Sequence, residues 1–198
     1  MEYELLGWPG DGVKLALDYR TFSYAGKFVV SNTGKAVAVD PATESRTEGD
    51  LPAAEREDVR DPDGTVVGAV AFNADRTDAD TAWLRYVTVR EDRRGEGVGP
   101  RLCAFTTARL HERGYDRVRI AVNNPFAYQA LYRAGFGFTG EETGIAELVL
   151  EQPAPDRSTD RYRAGFDVFR QRGPDSDERA FLDGKRGADP PSVLDAPE

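Results

Sequence analysis

The sequence predicts an α+β domain built on one sheet with parallel pairing in its middle. From Thr81 to Leu150 the elements read strand, helix, strand, helix, strand, strand, an order that puts helical crossovers between neighbouring strands. The helices carry their own boundary signals. Gly114 follows the first as a C-cap, Asn124-Pro125 opens the second as an N-cap with proline at the first helical position, and Gly135 closes it. Between the two helices Arg117–Val122 alternates cleanly, with Val118, Ile120 and Val122 on one face.

In chain order, Val13–Tyr19 alternates well enough to predict a strand, and Gly26–Val30 and Lys35–Asp40 offer two more short apolar runs. Residues 41–63 are acidic and punctuated by proline, and read as a long loop or insertion with a short helix near Ala53–Val59. Asp63-Gly64 turns the chain into Thr65–Phe72, a buried strand, and Thr81–Val89 is the next. Val98–Arg113 is a helix with Leu102, Phe105 and Leu110 on one side. The second helix has a core face of Ala127, Ala130, Leu131 and Ala134, with Tyr128 and Tyr132 on a stripe beside it, so that Tyr132 need not enter the core. Phe136–Thr139 and Ile145–Leu150 follow as strands. The chain thus divides into a domain over 1–151 and a tail over 152–198 rich in Pro, Asp and Arg, for which disorder is the default. Within the tail, Tyr162, Phe166 and Phe169 recur at helical spacing across Gly165, predicting a short amphipathic helix that docks on the domain or on a second subunit of a homodimer.

Composition removes several classes of function. The longest apolar run, Val66–Phe72, is far too short to span a bilayer, and Met1-Glu2-Tyr3-Glu4 lacks a signal peptide's basic and apolar regions. The expectation is a cytoplasmic protein without a membrane partner. A single cysteine, Cys103, and a single histidine, His111, provide neither an internal disulfide nor a Cys/His zinc site, so no metal is expected. A net charge of −9 and a pI near 4.8 argue against nucleic-acid binding by the surface as a whole. The 4 Lys against 22 Arg, and 20 Asp against 15 Glu, read as halophilic adaptation to a salt-rich cytoplasm. Equal stability in dilute buffer and in molar KCl would remove that reading. The charge is also uneven. Arg85–Arg133 holds ten Arg and five acids, a local +5 that leaves −14 on the remainder. Such an island suggests a locally bound anionic ligand, or else arginines that decorate helix faces.

At the centre of that island lies Arg93-Arg94-Gly95-Glu96-Gly97-Val98-Gly99-Pro100, joining the strand that ends at Val89 to the helix that starts near Val98. The first N–H groups of a helix lack intrahelical partners and carry the positive end of its dipole. Glycines let this backbone approach a phosphate without Cβ atoms in the way, and Arg93 and Arg94 add positive charge. The segment reads as a phosphate cradle, suited to a pyrophosphate. The dinucleotide fingerprint fails because Pro100 stands where its third glycine belongs, and no Gly-Lys pair is followed by Ser or Thr as a nucleotide-triphosphate loop requires. No Gly-x-Ser-x-Gly elbow occurs.

Arg94–Gly99 resembles the R/Q-x-x-G-x-G/A signature of the GCN5-related N-acetyltransferase (GNAT) family. The preceding strand WLRYVTV, the strand VRIAV and the segment NPFAYQALYRAGFGF are similar to that family in their order, over about Asp80–Leu150. The resemblance implies a mixed, largely antiparallel twisted sheet, flanked by helices, whose central parallel strands splay at an acyl-coenzyme A site. It implies acetyl-CoA as cosubstrate, a pyrophosphate held by Arg94–Gly99, a pantetheine arm paired along Val87, Thr88 and Val89, and contacts from Arg93 and Asn124. It also implies direct acetyl transfer to an amine, with Tyr132 near the sulfur as proton donor and a backbone N–H near Val87–Val89 on the developing oxyanion. Glu147 is the first candidate for general base, with Glu91 and Asp80 as further carboxylates. Two departures stand out. Asn124 and Tyr132 are eight residues apart where the family has seven, and Pro100 directly follows the last glycine. The N-cap role of Asn124 suffices to explain that residue. His111 reads as a dipole-complementing surface residue, and Cys103 as a packing residue. The alternatives to an enzyme are a non-catalytic acyl-CoA sensor and a partner-binding module.

Overall fold

The computed structural model describes residues 1–41 and 65–197. Seven strands form one sheet: β1 (Glu2–Gly7), β2 (Gly34–Val39), β3 (Val66–Ala74), β4 (Thr81–Val89), β5 (Arg117–Val122), β6 (Gly137–Glu142) and β7 (Leu148–Gln152). Their order is β1-β2-β3-β4-β5-β7-β6, and every neighbouring pair is antiparallel except β4 and β5. Among the described residues four α-helices accompany them: α1 (Val98–Glu112), α2 (Pro125–Arg133), α3 (Thr159–Gln171) and α4 (Ser176–Gly184). The mixed α+β sheet with one central parallel pair is the predicted architecture, because α1 must carry the chain from the end of β4 back to the start of β5.

The sheet separates two cores. On one face Val67, Val70, Leu84, Val118, Ile120 and Leu150 pack against Leu102, Phe105 and Leu110 of α1 and Leu131 of α2. On the other, Val37, Ala69 and Ala71 pack against Leu15, Phe22, Ala25 and Phe28 from the segment joining β1 to β2. That segment corrects two expectations. Val13–Tyr19 is irregular and Gly26–Val30 begins in a 3₁₀ turn at Ala25–Lys27, although Leu15 and Phe28 are fully buried. Leu15 N–H donates to Phe28 O at 3.0 Å, and one further carbonyl from each run, Val13 O and Val30 O, is taken by buried Lys35 of β2. Its ammonium donates to Val13 O and Val30 O at 2.8 Å and to Thr33 O at 2.9 Å, and burial pulls its pKa down to about 8. The helix expected at Ala53–Val59 lies outside the described residues.

The expectation of disorder after β7 is also corrected. Tyr162, Phe166 and Phe169 of α3 bury themselves against Tyr128 of α2 and β6 of the same chain, and Asp175 caps α4 in a reciprocal capping box with Glu178. Gly165 makes this docking fit, since a Cβ there would run into the ring and hydroxyl of Tyr128. The last strand begins at Leu148 rather than Ile145, because Gly144 and Ile145 form a turn in which Ile145 is exposed.

Candidate functional site

The ladder between β4 and β5 runs from Thr81↔Arg117 to Leu84↔Ile120 and stops, while β4 continues to Val89. Past that fork the two strands part, leaving a cavity of about 200 Å³ that passes from one face of the sheet to the other. On the helical face it is lined by Val87, Gly99, Cys103, Ala127, Ala130 and Leu131. On the opposite face the lining residues are Tyr24, Arg85, Tyr86 and Glu147.

The cradle opens onto the helical face. Gly95 and Gly97 adopt φ of +87° and +80°, left-handed values at which a side chain is strained, and Gly97 is the N-cap of α1. No side chain caps that helix end, so its first N–H groups are left for an outside acceptor. Arg101 Nη1 donates to the carbonyls of Glu96 and Gly97 at 3.2 and 3.3 Å, engaging two of the loop's acceptors. The first helical turn brings Gly99 against Val89, where a Cβ would lie 3.4 Å from the valine methyl, while Val98 is buried in the core. A Cβ on Gly97 would also lie 3.9 Å from Arg133 Nη2, so two arginines that sequence reasoning passed over flank the loop.

The predicted cations of the loop are largely engaged. Arg93 donates to Asp40 at 2.8 Å and to Glu96 at 2.9 Å, pairings that raise its pKa and tie the loop to the end of β2. Arg94 donates to Ser23 Oγ at 3.0 Å and to Val89 O at 3.3 Å, with Glu91 at 3.8 Å. Elsewhere in the basic island Arg90 pairs with Asp92, Arg109 with Glu112, Arg117 with Asp78, and Arg119 with Glu151. The local +5 is thus offset in part by partners outside the segment, Asp40, Asp78 and Glu151.

Along β4, Val87 lines the cavity and Val89 packs against the α1 core, whereas the Thr88 side chain is buried on the opposite face with Ala69. Asn124 does what the sequence predicts. Its side-chain oxygen accepts from Ala127 N at 2.8 Å as the N-cap of α2, and the residue lines the cavity. Cys103 lines the cavity as well, but burial pushes its thiol pKa up to about 12, so it is no nucleophile near neutral pH.

Tyr132 is the principal correction. It is 0 % exposed and absent from the lining, and its ring packs 4.6 Å from that of Tyr162. Its hydroxyl accepts from Phe138 N at 3.0 Å and lies 3.4 Å from the Tyr128 hydroxyl, whose own pKa is raised by burial. The residues of α2 that face the cleft are Ala127, Ala130 and Leu131, the last of them seven positions after Asn124. One residue along a helix is a rotation of about 100°, enough to move a side chain from cleft to core. The tyrosines that do line the cavity are Tyr24 and Tyr86, with ring centroids 6.2 Å apart.

Glu147 reaches the lining from the turn between β6 and β7. Thr143 and Glu147 are joined there by a Thr143 N–H to Glu147 O bond of 2.9 Å, and Ala146 takes a left-handed φ of 63°. Among the described residues its carboxylate has no hydrogen-bond or ion-pair partner. Glu91 and Asp80 are not on the lining, and Asp80 instead offers its carbonyl to the N–H groups of Asp116 and Arg117. His111 is engaged by Tyr115 O and by Gln152 Oε1. Among the described residues no cluster of three or more His, Cys, Asp or Glu could hold a metal ion, and no helix is long and apolar enough to cross a membrane.

The profile of the acetyltransferase (GNAT) family matches residues 32–138. No curated protein matches the chain. Similar solved structures include a GCN5-related N-acetyltransferase from Kribbella flavida, 23% identical over 61% of this chain and 67% of that one, with a TM-score of 0.43. A ribosomal-protein-alanine N-acetyltransferase from Brucella melitensis is 18% identical over 61% and 68%, also with a TM-score of 0.43. A Bacillus subtilis acetyltransferase, solved in complex with CoA, is 14% identical over 76% and 96%, with a TM-score of 0.49.

Proposed function

The chain belongs to the acetyltransferase (GNAT) family, and on that premise we propose that it transfers an acetyl group from acetyl-CoA directly to an amine. The observation that carries this reading is the coincidence of the fork and the cradle: the one parallel pair opens where an uncapped, glycine-lined helix end meets it. The N–H groups of the first turn of α1 bind the pyrophosphate, and the free edge of β4 beyond Leu84 pairs with the pantetheine arm as an added strand. When bound, the thioester supplies an activated acyl carbonyl and a thiolate leaving group. Glu147, on the opposite face, accepts the proton that the amine must lose to attack, directly or through one water. A backbone N–H of β4 stabilises the charge that develops on the carbonyl oxygen. Among the lining residues Tyr24 and Tyr86 carry the hydroxyls able to protonate the departing thiolate. The buried, protonated Cys103 fits transfer without an acyl-cysteine intermediate.

Calorimetric titration of acetyl-CoA tests the donor half. The wild type is expected to bind, Gly97→Val to lose binding through its disallowed backbone angle, and Gly99→Val to lose it while folded, because Gly99 has no left-handed φ. A folded wild type that does not bind, or a folded Gly99→Val that binds as well as wild type, refutes the cradle.

A further inference from the structure

On the face of the cleft away from the helices, Arg85 of β4 and Glu147 beside β7 line one opening from opposite sides. They form no ion pair with each other. Arg85 stands at a bulge: Ala71 pairs with Tyr86 but Phe72 pairs with Leu84, so Arg85 is the extra residue. A bulge re-aims side chains, and this one puts Arg85 and Tyr86, adjacent in sequence, on the same face of the sheet. The guanidinium is held from two sides. Its Nε donates to Asn73 Oδ1 at 2.6 Å, and its central carbon lies 5.1 Å from the Trp83 ring centroid. Trp83 is in turn anchored by its Nε1–H to Asp75 Oδ2 at 2.6 Å. Among the described residues neither Nη of Arg85 donates a hydrogen bond. A second cation, Lys27 Nζ, lies 5.7 Å from the Tyr86 ring centroid.

A planar fork fixed in place with open Nη groups is the geometry that receives a carboxylate by two parallel hydrogen bonds. Resting on the acetyl-transfer reading, we infer that the acceptor is a small amino acid, its carboxylate held by Arg85 and its amino group directed at Glu147. A simple amine would leave the exposed Arg85 fork without a counter-charge, and a polyamine would bring a further cation to Arg85 and Lys27. The cavity of about 200 Å³ also receives the donor's acyl end, which restricts the acceptor to a compact molecule.

The test is thiol release from saturating acetyl-CoA with each of the twenty protein amino acids, and with ethylamine, 2-aminoethanol, 2-methylpropylamine and 3-methylbutylamine, the decarboxylated counterparts of alanine, serine, valine and leucine. Wild type, Arg85→Gln and Arg85→Lys are compared after circular dichroism has confirmed their folds. Wild type is expected to favour an amino acid over its decarboxylated counterpart by about tenfold or more in kcat/KM, the scale of a lost charge-assisted contact. Arg85→Gln removes that preference mainly through KM, and Arg85→Lys, which keeps the charge without the fork, retains part of it. Decarboxylated amines turned over as well as the acids, or an unchanged preference in Arg85→Gln, overturn the assignment while leaving acetyl transfer in place. A wild type that binds acetyl-CoA yet releases thiol with none of these compounds overturns both.

Discussion

Replacing Tyr132 by Phe removes one oxygen and so separates a proton donor from a packing residue. The hydroxyl that disappears accepts the backbone N–H of Phe138 at 3.0 Å, inside a cluster that also holds Tyr128 and Tyr162. The Tyr128 hydroxyl keeps its shorter bond, 3.1 Å to Tyr162 O, so the loss falls on the Phe138 N–H, which is left buried without that acceptor. Such an orphaned donor costs about 1–3 kcal/mol. In a chain of this size that corresponds to a fall in Tm of roughly 2–12 °C. The two readings therefore predict opposite outcomes in two assays. A packing tyrosine lowers Tm in a thermal melt and leaves kcat for acetyl transfer within about twofold of wild type below the transition, since no atom of the cleft has moved. A proton donor leaves Tm nearly unchanged and lowers kcat by about a hundredfold or more, the usual contribution of general acid catalysis. A large loss of kcat in a Tyr132→Phe protein with wild-type stability would refute the placement of this side chain in the core.

Two further outcomes follow from the cleft and from the α3 contact. Glu147→Gln is expected to lower kcat/KM for the amine about 10²–10⁴-fold with acetyl-CoA affinity unchanged by calorimetry, and an undiminished rate would remove the base role. Gly165→Ala, which at an exposed helix site would stabilise by up to about 1 kcal/mol, should instead destabilise by about 1–3 kcal/mol in urea unfolding, because the new methyl meets the Tyr128 ring.

The parts of the fold that were legible are those whose signals are local. Gly114, Asn124-Pro125 and Gly135 each mark a helix end through backbone geometry that few other residues accept, and α1, β5 and α2 lie where those marks predict. The segment between β1 and β2 was misread because its apolar residues alternate for a different reason. Leu15 packs in the second core and Val13 is buried, both on irregular backbone, where the Val13 carbonyl is satisfied by the Lys35 ammonium, 22 residues away in sequence. Burial without a ladder mimics a strand's pattern. In the tail the aromatic stripe of Tyr162, Phe166 and Phe169 does predict the docked helix α3, whereas proline and charge content, which describes the surface, predicts disorder where the structure has α4.

The candidate site divides along the same line. Its cradle is contiguous, and the glycines at 95 and 97 do adopt left-handed angles that no other residue adopts as easily. The opposite half gathers Tyr24, Arg85–Tyr86 and Glu147 from three distant places, and no spacing in the sequence joins them. One signal was nevertheless present. An Asn-to-Tyr spacing of eight rather than seven sets the tyrosine about 100° further round the helix, and Leu131, at the seventh position, meets the cleft in its place, beside Ala127 and Ala130. The bulge at Arg85 acts on β4 in the same way, since one extra residue reverses which face the next side chain takes. On α2 the period is legible in the sequence and the phase is not, and on β4 a bulge breaks the period of two at a position that no local signal marks. Phase is what decides whether a tyrosine or an arginine meets the substrate. It is set by tertiary pairing, for α2 by the aromatic cluster with α3 and for β4 by its register against β3. A function read from residue types alone therefore names the reaction sooner than it names the residues that perform it.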